Sequence, residues 1–100
     1  MVPFDEHVRR ALDALPPELA AALQNVAVVV EDEHPQDPDL FGLFEDEPFL
    51  PAKVTIYRLP LVETFADPEE LEHEIRVTVL HELAHYFGID EERLEELGYA

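Results

Sequence analysis

The feature that most constrains this chain is a helical segment carrying two histidines four residues apart, His81 and His85. An α-helix completes a turn in about 3.6 residues, so both imidazoles project from one face. At this spacing two imidazoles can bind one zinc ion. Glu82 lies about 100° further round the helix, where it reaches a water on the metal more readily than the metal itself. The pattern therefore predicts zinc ligands at His81 and His85 and a general base at Glu82.

Capping signals bound the helix that carries this motif. Asp67 is suited to the N-cap, Pro68 to the first helical position and Glu70 to the third position of a capping box. Gly88 is a typical stop signal. We therefore expect a helix over residues 68–87.

Apolar side chains cover most of the circumference of this helix between Ile75 and Phe87 when successive residues are placed about 100° apart. A helix with so wide an apolar surface is buried. The remaining polar strip carries Glu74, Thr78, His81, Glu82 and His85. A buried helix that keeps one polar strip for the motif favours a metal site over surface histidines.

A third ligand is expected just beyond the helix. The chain resembles the extended metzincin spacing, in which a glycine, here Gly88, turns the chain so that the eleventh residue reaches the metal. That residue is Glu91, and two histidines with one carboxylate leave the open position that a catalytic zinc needs. Asp90 is the alternative, although it is better explained as the N-cap of a helix over residues 91–97. Glu92 or a water also remains open as the third ligand.

The other histidines are not expected to bind this ion. His73 lies about 12 Å along the helix from His81, which is too far for both to share a metal. His7 falls in an N-terminal amphipathic helix and His34 in an acidic loop. We interpret both as solvated side chains.

The rest of the sequence predicts a small α+β scaffold. An amphipathic helix over residues 4–15 and a short helix over residues 18–24 precede a β-branched run at residues 26–31. Residues 54–57 alternate as a half-buried strand does, and residues 40–44 are a candidate third strand. Helices before and after a small sheet favour an α+β fold in a single domain, residues 1–100.

Acidic residues outnumber basic ones by 24 to 6, and the formal net charge is -18. We therefore expect no nucleic-acid partner. Acidic residues and prolines gather over residues 31–51, which predicts a loop or irregular lid. A solvated acidic surface explains this charge, and a preference for cationic peptides is the alternative. The acidic residues do not show the EF-hand spacing that would indicate a calcium site.

Cysteine is absent, so disulfides and thiolate zinc ligands are excluded and a reducing cytoplasm suits the chain. Residues 1–6 lack the basic and apolar regions of a secretory signal. No apolar run approaches the roughly 20 residues of a membrane span. We expect a cytoplasmic protein without membrane contact, while its oligomeric state stays open.

Five segments stand out along the chain: Leu15-Pro16-Pro17-Glu18-Leu19, residues 25–32, Gly42-Leu43-Phe44-Glu45, Val54-Thr55-Ile56-Tyr57-Arg58 and residues 81–90. In this order they resemble the small bacterial zincin-like metallopeptidase family, the predicted minimal zincins. Asp46 stands where that family often has glycine, and Met1 is the only methionine, so the Met-turn of true metzincins is absent.

The resemblance implies a minimal zincin-like fold, in which a small β-sheet packs against the active-site helix with helices at both termini. It also implies an edge strand beside that helix that holds a peptide or protein substrate as an added strand. Residues 40–44 or 54–58 would form this edge. Tyr57 and Arg58 are candidates for stabilising an oxyanion, although a strand aromatic and a surface base are the simpler interpretation.

The predicted function is zinc-dependent peptide hydrolysis, with Zn²⁺ held by His81, His85 and Glu91 and with Glu82 as the base. The main alternative is a non-catalytic zincin-like metal-binding or regulatory protein. Glu82 favours the enzyme, since a structural metal site does not need it. An acidic mimic of nucleic acid would explain the charge but not the motif.

Overall fold

Five α-helices and a three-stranded sheet form the described part of the chain. The computed structural model describes residues 2–96, apart from the side chains of Glu18, His85 and Tyr86. This architecture confirms the predicted α+β class. In chain order the elements are α1 (Phe4–Asp13), α2 (Pro17–Ala22), a 3₁₀ turn (Leu23–Asn25), β1 (Val26–Glu31), β2 (Gly42–Glu45), β3 (Ala52–Tyr57), α3 (Arg58–Thr64), α4 (Pro68–Phe87) and α5 (Glu91–Glu96).

The sheet has the strand order β1-β3-β2, so β3 lies at its centre. β1 pairs with β3 in parallel, with Val28 opposite Val54, and β2 pairs with β3 antiparallel, with Phe44 opposite Val54. Val54 and Ile56 are fully buried. Because β3 is paired on both sides, the expectation that residues 54–58 could form the edge strand is wrong. Of the two candidate segments, residues 40–44 and 54–58, only the first contributes an edge strand, which is β2.

The end of β3 also differs from the prediction. Arg58 does not extend the strand but is the first residue of α3, a helix that the sequence did not indicate. Pro60 lies in its first turn, where a missing amide costs no helical hydrogen bond. Leu61 is fully buried, so tertiary packing rather than sequence propensity holds this short helix.

The helix that carries the motif begins and ends as predicted. Asp67 caps α4, and its Oδ1 accepts a hydrogen bond of 3.1 Å from the amide of Glu69 rather than from that of Glu70, which a capping box would use. Gly88 follows the helix with φ 68° and ψ 25°, a left-handed conformation that glycine adopts without a steric cost.

Two apolar clusters hold α4 from different sides. Ile75, Val79 and Leu83 pack with α1 and the sheet, while Leu80 and Ala84 pack with residues of α2 and α5. The predicted burial of the helix is thus confirmed. Two apolar residues depart from it: Val77 is half-buried, and Phe87 is 43% exposed at the end of the helix.

Other boundaries differ from the prediction by a few residues. α1 ends at Asp13 rather than at residue 15, the predicted helix over residues 18–24 is α2 followed by the 3₁₀ turn, β2 begins at Gly42 rather than at residue 40, and β3 begins at Ala52 rather than at residue 54. The predicted end of α5 at Leu97 lies outside the described residues. Among the helices described between residues 2 and 96, none combines the length and apolar character that a bilayer span requires.

Candidate metal centre

An open cavity of about 420 Å³ lies along the polar strip of α4. Glu74, Thr78, His81 and Glu82 all line it, and both His81 and Glu82 are half-buried. The fifth residue of the strip, His85, follows His81 by one helical turn, about 6 Å along the axis, and its side chain is not described. The four described residues of the strip therefore line open space, whereas apolar residues on other sides of the helix, such as Ile75, Val79 and Leu83, are buried.

The first residue of β2 closes one side of this cavity. A Cβ atom on Gly42 would lie 2.6 Å from Thr78 Cγ2, 3.2 Å from the Thr55 carbonyl oxygen and 3.8 Å from Glu82 Cγ. Thr78 cannot easily withdraw, because it is buried and its Oγ1 donates a 2.8 Å hydrogen bond to the Glu74 carbonyl. Glycine at position 42 therefore lets the edge strand approach the helix closely beside Glu82.

This close approach predicts a coupled pair of substitutions. We expect Gly42→Ala to lower the free energy of unfolding by about 1–3 kcal/mol, the usual cost of overpacking. Thr78→Ser removes the methyl group that the new Cβ would meet and keeps the hydroxyl, so the double variant should recover part of the loss. Urea unfolding of the two single variants and the double variant measures the coupling, and purely additive losses would contradict the proposed contact.

The segment between β1 and β2 forms the rim of the cavity. Its backbone is held by short-range bonds: His34 Nδ1 accepts from the Gln36 amide at 3.1 Å, and Asp37 Oδ1 accepts from the Asp39 amide at 3.3 Å. The Leu40 amide donates to the Asp37 carbonyl at 3.2 Å. This turn brings Asp37 and Asp39 to the cavity wall.

The cavity is strongly acidic. Four carboxylates line it, from Asp37, Asp39, Glu74 and Glu82, and no lysine or arginine lies among the described lining residues. Asp37, Asp39 and Gly42 were not recognised individually from the sequence. For Asp37 and Asp39 the sequence signal was the acidic, proline-rich composition of residues 31–51, while Gly42 was marked only as part of a family-like segment and of the candidate strand over residues 40–44.

The two adjacent carboxylates after the helix, Asp90 and Glu91, are both exposed, and they differ in whether they cap α5. Asp90 Oδ1 accepts a 2.8 Å hydrogen bond from the Arg93 amide and so caps α5, as predicted. Glu91 is exposed at the first position of α5. Within the described residues, which lack the His85 side chain, no group of three metal-binding side chains is assembled. The ligand role of Glu91 remains a prediction.

Two substitutions distinguish the proposed roles of Asp90 and Glu91. Asp90→Ala should lower the free energy of unfolding by about 0.5–2 kcal/mol, the usual cost of losing an N-cap, and should largely spare zinc binding. Glu91→Ala should weaken zinc binding strongly with little change in the stability of the metal-free protein. Zinc titrations and urea unfolding of both variants test this. Release of zinc by Asp90→Ala alone would exchange the two roles.

The predicted oxyanion candidates lie elsewhere. Neither Tyr57 nor Arg58 is among the described residues that line the cavity. Tyr57 is buried and its ring meets that of His34 edge-on at 5.7 Å; burial, with smaller effects from Glu31 and Glu45, raises the pKa of its phenol. Arg58 Nε and Nη2 donate to Asp32 Oδ1 at 3.0 and 2.9 Å. Tyr57 is thus a packed strand aromatic and Arg58 an ion-paired base away from this cavity, in agreement with the simpler interpretation.

The remaining histidines are also away from the cavity lining, but not as solvated side chains. His7 is buried, and its Nδ1 lies 2.6 Å from Glu72 Oε2. His34 is half-buried against Tyr57. The expectation of a solvated side chain is wrong for His7, because its partner lies 65 positions away in the chain, whereas His34 is removed from solvent only in part.

The sequence model of the zincin-like metallopeptidase family matches residues 23–99. This stretch contains the whole sheet, α3 to α5 and the histidine motif. The chain belongs to this family. The predicted resemblance is confirmed, and the small mixed sheet beside α4 agrees with a minimal zincin-like fold. Helices α1 and α2 precede the matched stretch. No curated protein matches the chain.

Proposed function

We propose that this zincin-like protein is a zinc-dependent peptidase in which His81, His85 and Glu91 bind the metal and Glu82 is the general base. The observation that carries the proposal is the cavity, since His81 and Glu82 line it together next to the first residue of an edge strand. A motif on a fully packed face would not have been able to meet a substrate.

The donor set fits zinc. His81 offers a half-buried imidazole at the cavity wall, and the helical backbone supports a second imidazole one turn later. When bound at such a site, zinc acidifies a coordinated water and polarises the carbonyl of the substrate. The helix that presents these residues is fixed on its other sides by the two apolar clusters, which supports a preorganised site.

Glu82 moves the proton in this proposal. Its carboxylate accepts the proton of the attacking water and passes it to the nitrogen of the scissile amide, which leaves as an amine. Glu82 Cγ lies 3.8 Å from the point that a Cβ atom on Gly42 would occupy. A peptide bond held near the start of β2 would therefore lie within reach of the Glu82 carboxylate. Glu82 is therefore open to a substrate from the cavity and lies beside the backbone of β2, with which that substrate would pair.

The edge of β2 provides the substrate-binding element. β2 pairs with β3 along one edge, and an extended peptide can add to the other by backbone hydrogen bonds without a strict sequence requirement. The carboxylates of Asp37, Asp39 and Glu74 on the cavity wall favour substrates with lysine or arginine near the scissile bond, because opposite charges attract across a partly desolvated surface.

A peptide-library digestion followed by mass spectrometry tests the proposal. We expect internal cleavage that is enriched next to lysine and arginine. Replacing Asp37 and Asp39 together with asparagine should reduce that enrichment while cleavage of neutral peptides continues. A zinc-loaded protein that cuts no peptide in a diverse library would contradict the peptidase and favour the non-catalytic metal-binding alternative.

A further inference from the structure

A second and larger cavity, of about 790 Å³, lies at the opposite end of α4. It is formed by the start of α1, by α3 and the segment after it, and by the first turn of α4. Its volume falls within the range of small-molecule sites, about 300–1,000 Å³. Leu71 in its wall is ten residues before His81, about 15 Å along the helix axis, so the cavity is separate from the candidate metal centre.

The wall of this cavity is mostly apolar. Phe4, Val62 and Phe65 are half-buried there, and Leu71 is buried behind them. The three polar residues of the wall, His7, Arg10 and Arg58, are all nitrogen bases. No carboxylate lies among its described lining residues, although the chain has 24 acidic residues and only 6 basic ones. Each of these bases is paired with a carboxylate beside the cavity, from Glu72, Glu6 or Asp32, but the described wall itself carries bases and no acid.

Both arginines keep donors for a ligand. Arg58 uses Nε and Nη2 on a single oxygen of Asp32, and its Nη1 has no partner among the described residues. Among the described residues, the ion pairs of Arg10 are long, 3.5 Å to Glu6 and 3.9 Å to Glu72, and both distances exceed the usual hydrogen-bond length. A guanidinium carries five N–H donors and matches a carboxylate in geometry.

We propose that this cavity binds an amphipathic monoanion, a long-chain carboxylate whose apolar chain lies against Phe4, Val62 and Phe65 and whose head group meets Arg10 and Arg58. Apolar area supplies the affinity and the guanidinium groups orient the ligand. A free carboxylate fits better than an anionic membrane surface, because the net charge of -18 repels such a surface as a whole.

Isothermal titration of the full chain with dodecanoate, below its micelle concentration, tests this site. We expect saturable binding of one molecule per chain, and equal binding by metal-free and zinc-loaded protein because the cavity is remote from His81. Dodecanol, which lacks the charge, should bind about tenfold more weakly, as expected for loss of charge-assisted hydrogen bonds.

Matched arginine variants identify the head-group contacts. Arg10→Gln, at an exposed side chain, should weaken dodecanoate binding by about tenfold, and Arg58→Gln should do the same if circular dichroism shows that it folds. Arg9→Gln is the control, since Arg9 neighbours Arg10 but is not a lining residue. Absence of saturation, equal binding of dodecanol, or unchanged affinity of Arg10→Gln would overturn the proposal. None of these outcomes depends on peptidase activity.

Discussion

Glu82→Gln should retain zinc and lose peptide hydrolysis by about 10²–10⁴-fold, the usual contribution of a general base. The amide keeps the size of the side chain but cannot accept the proton of the attacking water at neutral pH. Because His81, His85 and Glu91 are the proposed ligands, the metal should remain bound. Measurement of kcat/KM on one library-derived peptide, together with the zinc content of the same sample, checks both halves of the prediction.

Glu70→Gln is the matched control for this variant. Glu70 lies on the same helix, is exposed and does not line the described wall of the cavity. Its substitution removes the same charge from the protein and should leave kcat/KM nearly unchanged. Loss of zinc from Glu82→Gln would mean that Glu82 is a ligand, and retained hydrolysis would mean that another group accepts the proton.

His81→Ala should abolish retention of zinc through gel filtration and reduce peptide cleavage to background, while the metal-free protein stays folded. The fold does not rest on His81, because α4 is held by Ile75, Val79 and Leu83 on one side and by Leu80 on another. The free energy of unfolding without metal should change by less than about 1 kcal/mol. Zinc analysis and urea unfolding of the same preparation measure these effects.

His73→Ala is the control for the loss of a histidine from α4. His73 lies two turns before His81 and outside the described cavity wall, so zinc binding and cleavage should persist. If His81→Ala or chelated wild-type protein unfolds instead, zinc would be holding the structure together, and the site would be structural rather than catalytic.

Local signals explain why α4 was predictable from the sequence. Asp67, Pro68 and Gly88 mark its ends by their own backbone and side-chain chemistry, and its polar strip follows from the helical period. β1 was equally predictable, because the consecutive valines of residues 26–31 favour a strand. In both elements the information lies within a few residues of the structure that it determines.

Contacts between distant segments explain what was missed. The helix α3 begins directly after the last residue of β3, with no turn residue between them, and it depends on the burial of Leu61. Gly42 meets Thr78, and His7 meets Glu72, across 36 and 65 positions of chain. Periodicity and capping signals report only on near neighbours. The acidic loop over residues 31–51 could therefore be predicted from composition, but neither its position at the candidate site nor the burial of His7 could be.

Restoration of activity by zinc is the most direct test of the central claim. Metal-free protein prepared with a chelator would be titrated with zinc while cleavage of one peptide is followed. We expect no cleavage without metal and a linear rise in cleavage rate that ends at one zinc per chain, as for a single site with an open position. Cleavage that persists without metal, or zinc binding that raises stability while cleavage stays absent, would contradict a catalytic zinc site at His81 and Glu82.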